Sequence, residues 1–340
     1  MASIFTYPES WELREIERDL LPSLTADRTI FKHMPTRDVN AARVYWQQRD
    51  NFRGLQQLRG MGNHPPVVKM VGDRTFDMKP GVYGEHIPLD EQELTNRRQF
   101  AANSGAPVAI SDMVAEAQTQ LLQRRLDRIE SINWNLVTTG TFSVVNSVIG
   151  LTYNGTYTIQ QYTPIVPWST PATSTPLGDL RVIQLMGRGS SVSFGSDATM
   201  VMTQRTLQWM LANTNNADLY GKRTAGLGTL NSLGDIQRLF AGENLPTIEI
   251  NERGYEDDNG VFQLFVPDGK IVVFGKRPAG QPLGEYLYTR NMNNPGGSPG
   301  PYTRVITEAE KIPFSVQIHD GHNGGPAMYY PSAVIVMNVG

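Results

Sequence analysis

The chain has 340 residues, of which 39% are hydrophobic and 19% charged, with a formal net charge of −3 and no cysteine. The apolar fraction is enough for a sizeable core, and the length favours two lobes over one. The lack of cysteine excludes disulfides, thiolate nucleophiles and cysteine-ligated metals. The chain lacks the excess of Lys and Arg over Asp and Glu that is typical of proteins that bind the phosphates of nucleic acids.

The first 62 residues contain one clear helix signal in otherwise polar, mixed sequence. The segment PESWELREIERDLL has Ser10 as a candidate N-cap, apolar residues at helical spacing, and Pro22 as its predicted end. The remainder predicts an arm that lies on another surface. No signal-peptide pattern and no apolar run of about 18–20 residues is present, so we expect no membrane partner.

Residues 65–89 predict a long hairpin with polar, charged limbs. Gly72-Asp73 and Pro80-Gly81 break the sequence into two strand-like parts. A hairpin of this kind buries little surface and is marginally stable alone in water. The sequence therefore predicts that it needs a partner surface.

The strongest helix signal covers about residues 111–138, where apolar residues recur at helical spacing and Gly140 follows the predicted end. A helix of this length is about twice the typical globular helix and predicts a structural spine. The sequence after it alternates polar and apolar residues around Asn154-Gly155. That pattern predicts a β-hairpin with its turn at these two residues.

From about residue 175 the sequence alternates between strand and helix patterns. The predicted helices are TQRTLQWMLANT, opened by Thr203, and NSLGDIQRLFAG, closed by Gly242. The predicted strands are ATMVM, PTIEI, KIVVF and PSAVIVMNV. This alternation indicates an α/β lobe with its own sheet.

The stretch VPDGKIVVFGKRPAG allows two interpretations, a phosphate-binding loop or a strand between two turns. Five residues separate Gly269 from Gly275, and Arg277 stands where a Walker A loop needs a hydroxyl. The interior KIVVF is β-branched and apolar, which suits a strand. The sequence favours the strand.

The histidine cluster HDGHNGG is the second candidate for chemistry. His319, Asp320 and His322 have a spacing that suits metal binding, but further ligands are not evident and the glycines favour a surface turn. Other acidic and basic pairs fit solvated faces or ion pairs. We therefore expect no catalytic residue, no cofactor site and no metal site.

Three segments resemble a known family: MKPGVYGEHIPLDEQEL, FVPDGKIVVFG and the C-terminal SVQIHDGHNGGPAMYYPSAVIVMNV. Together with the order of the predicted elements, they resemble the lambda-like major capsid protein E family of tailed phages. The resemblance covers most of the chain from about residue 65. It implies the Hong Kong 97-type capsid fold, which encapsulin nanocompartments share.

The fold implied by this resemblance is α+β and has five parts. They are an N-terminal arm over 1–62, an extended E-loop hairpin over 63–90, a peripheral domain over 91–178 with the spine helix at about 111–138 and a β-hairpin, an α/β axial domain over 179–300, and returning strands of both domains over 301–340. In the family the E-loop lies across an adjacent subunit. We therefore predict contacts between subunits at the charged hairpin residues Arg74, Asp77, Lys79 and Glu85.

The implied function is that of a major capsid protein. Hexamers and pentamers of the chain would form the icosahedral shell around the double-stranded DNA of a tailed bacteriophage, in a virion assembled in the host cytoplasm. Expected partners are further copies of the chain, a separate scaffolding protein, a portal protein, DNA held non-specifically and, as an open alternative, a decoration protein. An encapsulin-like shell protein is the nearest alternative function, and a metal-dependent hydrolase built on HDGH is a third.

Overall fold

The computed structural model describes residues 10–48, 55–56, 58–62, 64, 74–90, 110–146, 151–188, 192–223, 232–257, 260–277, 281–307 and 315–340. The chain divides into two compact units. Unit 1 comprises Met1–Val44, Asp77–Glu130 and Glu285–Ala327, and unit 2 comprises Tyr45–Phe76, Ser131–Gly284 and Met328–Gly340.

Helices and strands alternate irregularly along the chain. The helices are α1 (Ser10–Thr25), α2 (Thr29–His33), α3 (Ile110–Thr139), α4 (Pro176–Met186), α5 (Gln204–Leu211), α6 (Thr214–Arg223) and α7 (Leu233–Gly242). The strands are β1 (Thr36–Asp38), β2 (Val44–Gln48), β3 (Arg74–Met78), β4 (Gly81–Asp90), β5 (Thr141–Asn146), β6 (Leu151–Thr156), β7 (Gln160–Tyr162), β8 (Thr199–Met202), β9 (Thr247–Ile250), β10 (Gly254–Glu256), β11 (Phe262–Leu264), β12 (Lys270–Phe274), β13 (Gly284–Tyr288), β14 (Tyr302–Thr307), β15 (Ser315–Met328) and β16 (Val334–Asn338).

Unit 1 is built around the long strand β15. Its sheet has the order β1-β13-β15-β14, and β4 also pairs with β15. Successive side chains of a strand point to opposite faces, so alternate residues of β15 are buried against the helices. The resulting core joins α1, α3, β4 and β15 through one apolar cluster, which consists of Leu13, Leu89, Met113, Val114, Ala117, Leu121, Val316 and Ile318.

Unit 2 contains a second sheet with the order β7-β16-β12-β8-β9. Strand β12 is the predicted KIVVF strand, and it is antiparallel to both of its neighbours, β16 and β8. The last four residues of β12 are buried. Gly269 precedes β12 with a φ of +74°, and a Cβ there would lie 2.7 Å from Gly340 Cα. The glycine is thus a turn residue, and the strand interpretation is confirmed.

Side-chain caps fix the starts of two helices, and the first of them, at Thr203, was predicted. The Thr203 side chain accepts a hydrogen bond from the Thr206 N–H at the start of α5. Ser232 and Asp235 form a capping box at the start of α7, which ends at Gly242 as predicted. The spine helix predicted over about 111–138 is also present as α3, and the chain passes from unit 1 to unit 2 within it.

Two local predictions were wrong because packing outweighed the local signal. Helix α1 does not end at Pro22 but continues to Thr25, whose hydroxyl donates a 2.7 Å hydrogen bond to the Leu21 carbonyl. The hairpin of β5 and β6 exists, but Asn154-Gly155 lies inside β6. A Cβ at Gly155 would lie 2.5 Å from the Phe142 ring, so this glycine makes room for an aromatic side chain.

The predicted surface turn at HDGHNGG was also wrong, because the segment lies inside β15. Two of its glycines allow the neighbouring strands to lie close to β15. A Cβ at Gly321 would lie 2.5 Å from the Tyr83 carbonyl oxygen, and one at Gly324 would lie 2.6 Å from the Leu287 carbonyl oxygen. Backbone atoms cannot give way as a flexible side chain can, so glycine is required at these positions.

The two parts of the predicted hairpin pair with different elements within the described residues. Strand β3 pairs with β2, and β4 pairs along its whole length with β15. Most of the first limb, residues 65–73, lies outside the described residues. The second part of the hairpin therefore belongs to the sheet of unit 1.

We predict that Gly324→Ala lowers the free energy of unfolding by about 1–3 kcal/mol, the usual cost of overpacking. Gly84→Ala, on the paired strand β4, is the matched control. Its added methyl group would meet the Tyr302 hydroxyl at 3.0 Å, the end of a side chain that can move, so the change should stay within about 0.5 kcal/mol. Urea denaturation of the unassembled chain measures both, and equal losses would contradict the close-approach argument.

Candidate assembly interface

A buried cation on the spine helix connects three elements of unit 1. Arg125 of α3 is 3% exposed, and its Nη1 donates a 2.7 Å hydrogen bond to Asp320 of β15. Its Nη2 contacts Glu17 of α1. Burial opposes the charge of Arg125, but the carboxylates of Asp320 and Glu17 outweigh burial and raise its pKa.

The carboxylates of Glu17 and Asp320 share the guanidinium of Arg125, and this arrangement affects the pKa of Asp320. Burial raises the pKa of Asp320 to about 6, although Arg125 and the Thr303 hydroxyl favour its charged form. Glu17 adds a like charge and raises the pKa further. Asp320 thus serves as an ion-pair partner inside unit 1.

A second buried arginine joins the segment after α1 to the same helix. The Arg28 guanidinium lies 2.7 Å from Asp127 and 2.6 Å from Glu130, both on α3. Its Nε donates a 2.9 Å hydrogen bond to the Leu24 carbonyl at the end of α1. Arg125 and Arg28 therefore link the region of α1 to α3 at two places.

The predicted contact residues lie on or beside β3 and β4. Asp77 contacts Arg43, while Glu85 accepts hydrogen bonds of 2.5 and 3.0 Å from Arg124. The hydrogen bond from Arg124 lowers the pKa of Glu85, against the effect of partial burial. Lys79 is exposed between the two strands. Arg74 is the first residue of β3, and its side chain lies outside the described part of the structure.

Asp77, Lys79 and Glu85 have room for a further contact, because none of these three side chains is deeply buried. The side chain of Asp77 is 45% exposed and that of Glu85 is 50% exposed. Exposed ion pairs contribute little to stability, typically below about 1 kcal/mol. At interfaces between proteins, charges of this kind set specificity more than affinity.

Sequence reasoning missed a set of exposed apolar side chains. Leu55, Leu58 and Met61 are almost wholly exposed in a segment of irregular backbone, and Val82 on β4 is 73% exposed. Exposed apolar side chains that lie close together along the chain, as Leu55, Leu58 and Met61 do, can mark an interaction site. In the sequence, the regular three-residue spacing of Leu55, Leu58 and Met61 was the signal that could have indicated these exposed side chains.

The three residues of the HDGH cluster do not form a common ligand set. Asp320 and His322 share the buried face of β15, and His319 points to the opposite face. His322 stacks on Tyr83 with ring centroids 4.8 Å apart, and its Nε2 lies 3.0 Å from the Tyr286 hydroxyl. Burial holds the pKa of His322 well below its usual value, so it is a neutral core residue.

Among the described residues, no group of three or more His, Asp or Glu side chains is placed to hold a metal ion. None of the helices in the described ranges is both long and apolar enough to cross a membrane.

Comparison with known proteins gives the family. A family model described as phage major capsid protein E matches residues 21–286. The chain belongs to this family. No curated protein sequence matches the chain significantly.

Solved structures show that this capsid protein has the Hong Kong 97-type fold. A phage-related protein of Bordetella bronchiseptica RB50 superposes with a TM-score of 0.57 at 10% identity, over 98% of this chain and 97% of that chain. A protein described as the candidate capsid protein of an Escherichia coli CFT073 prophage superposes with a TM-score of 0.53 at 14% identity, over 79% of this chain and 80% of that chain. At such identities the likeness concerns the fold.

Family and fold together confirm the predicted class of protein. The chain is a phage capsid shell protein, a structural component of the virion that self-assembles into oligomeric shells. The family match supports a phage capsid protein more strongly than an encapsulin.

We predict that Arg125→Met lowers the free energy of unfolding by about 3–5 kcal/mol, because it leaves Glu17 and Asp320 as uncompensated buried carboxylates. Arg124→Met is the matched control on the next residue. It removes the exposed pair with Glu85 and should cost less than about 1 kcal/mol. Urea denaturation followed by circular dichroism measures both, and a loss of similar size for the two variants would refute the central role of Arg125.

Proposed function

We propose that hexamers and pentamers of this capsid protein form an icosahedral shell that encloses the double-stranded DNA of a tailed phage. The match of the capsid family model over residues 21–286 is the observation that carries the proposal. Closed rotations of one chain generate such a shell when each contact joins two different surface patches. A net charge of −3 suits a container, because a strongly basic lining would hold packaged DNA tightly.

The family resemblance also supports an assignment of the chain to the parts of the capsid fold. Residues 1–62 correspond to the N-terminal arm, 63–90 to the E-loop, 91–178 to the peripheral domain, 179–300 to the axial domain and 301–340 to returning strands. The position of β15 in unit 1 and of β16 in unit 2 supports a C-terminal segment that returns to both domains. The spine helix α3 supports the peripheral assignment.

The protein acts as a structural component without catalysis of its own in this proposal. Its candidate catalytic residues have structural roles, since Asp320 pairs with Arg125 and His322 packs among tyrosines. The partners proposed for assembly in the host cytoplasm are a separate scaffolding protein and a portal protein. A decoration protein on the outer surface is a further proposed partner.

Electron microscopy of particles purified from infected or induced cells tests this function. We expect DNA-filled heads with a portal at one vertex. Small shells without a portal that hold protein cargo would instead support the encapsulin alternative. A chain that stays a compact monomer under all assembly conditions would overturn both.

We predict that reversing the charge of Asp77, Lys79 or Glu85 impairs shell formation more than it lowers monomer stability, because these side chains are partly exposed and serve neighbouring copies. Asp77 allows a sharp test, since it contacts Arg43 within the chain. Asp77→Arg should reduce the yield of closed shells, measured by sedimentation and negative-stain microscopy, while the melting temperature of the unassembled chain changes little.

The swapped double variant Arg43→Asp with Asp77→Arg distinguishes the two roles of this pair. It restores an ion pair within the chain but presents reversed charges to a neighbour. We expect it to melt like the unchanged protein and still assemble poorly. Full recovery of assembly would show that Asp77 acts only within its own chain.

A further inference from the structure

The outer face of the unit 1 sheet, opposite the apolar cluster, carries a pair of histidines on adjacent strands. His86 of β4 and His319 of β15 are direct partners in the antiparallel ladder. Their rings stack with centroids 4.9 Å apart and planes inclined by 14°. Gln317, two residues before His319 on the same face, has its Oε1 3.0 Å from His319 Nε2. His86 is exposed and the other two are partly exposed.

We propose that His86 and His319, together with the side-chain oxygen of Gln317, form a binding site for one divalent transition-metal ion of the zinc and nickel class. Local sequence patterns do not predict this site, because His86 is more than two hundred positions from His319 along the chain. The site is distinct from the HDGH cluster, whose Asp320 and His322 point to the other face.

The chemistry of the three side chains fits such an ion. Imidazole nitrogen is a preferred ligand of zinc and nickel, and zinc binds it at about 2.0–2.1 Å. A tetrahedral ion thus separates two ligating nitrogens by about 3.3 Å. Directly opposed residues of an antiparallel pair have Cβ atoms about 4.5–5.5 Å apart, so both rings can aim a nitrogen at one ion once their side-chain torsions rotate them out of the stacked orientation. Solvent on this face leaves room for the rotation, and water fills the remaining position.

Metal ligation requires neutral imidazole, and the surroundings of His319 favour that form. Burial lowers the pKa of His319, and the neighbouring His86 lowers it further. Two imidazolium rings in contact would repel each other.

The charged groups around the pair limit the affinity. Arg304 of β14 is in register with His319 on its other side, and its guanidinium contacts the Asn293 carbonyl oxygen. Glu85 and Asp320 are the neighbours in sequence, but they face the helices and pair with Arg124 and Arg125. A nearby cation and a single amide oxygen as third ligand indicate moderate affinity.

A bound ion would connect β4 to β15 across the sheet. Strand β4 carries Glu85, one of the proposed contact residues, so the ion would hold this strand in place within the sheet of unit 1. This role lies beyond the formation of the shell itself.

Calorimetric titration of the untagged full-length chain with zinc chloride or nickel chloride tests the site. We expect one ion per chain at about pH 7.5, and a rise in melting temperature when the ion is present. His86→Phe and His319→Phe retain a stacked ring but lose the nitrogen ligand. Loss of even an outer partner of a metal site typically costs about 10–100-fold in affinity, so each variant should bind at least about ten-fold more weakly.

His64→Phe is the control, since it removes another exposed histidine and should leave the affinity unchanged. At about pH 5 protonation of the imidazoles should weaken binding by at least about ten-fold. Absence of saturable binding up to about 1 mM ion would overturn the proposal. Binding that persists unchanged in both His86→Phe and His319→Phe would overturn it equally, since the ion would then lie elsewhere.

Discussion

The organisation of unit 1 depends on the guanidinium of Arg125. A charge taken out of water is costly unless partners surround it, and these partners come from α1 and β15, which lie far from α3 along the chain. The ion pairs therefore form only when all three elements are in place together. Burial of the apolar cluster stabilises unit 1, but hydrophobic contacts do not depend on direction. The hydrogen bonds of Arg125 do depend on direction, so they determine which side of α3 faces the sheet.

The same helix shows how a shell protein divides its charges between folding and assembly. Arg125 is buried and bound to carboxylates of its own chain, while the adjacent Arg124 is largely exposed and contacts Glu85 on the rim of the sheet. Buried pairs determine the subunit fold. Exposed pairs contribute little to the fold and remain available to a neighbouring copy.

The sequence supported much of the fold because many local signals agreed with the final packing. Thr203 caps a helix and Gly242 ends one where predicted, and KIVVF is a largely buried strand that follows the turn at Gly269. The family resemblance rested on these patterns of strands and turns and is confirmed. Apart from the end of α1, which passes Pro22, the errors arose where a glycine signal had two causes. Gly155 and Gly321 look like turn residues, but they are glycines because a ring or a backbone oxygen lies against them.

The sequence by itself determined much of the helix and strand pattern and the presence of a long spine, since these follow from periodicity and caps, and its resemblance to the capsid family indicated the class of protein. Only the tertiary structure decided which charges are buried with partners, that HDGHNGG is a central strand, and that His86 meets His319. Those outcomes depend on contacts between residues distant in sequence. Local propensity carries no information about such contacts, because they arise only when strands take their register and helices dock on them.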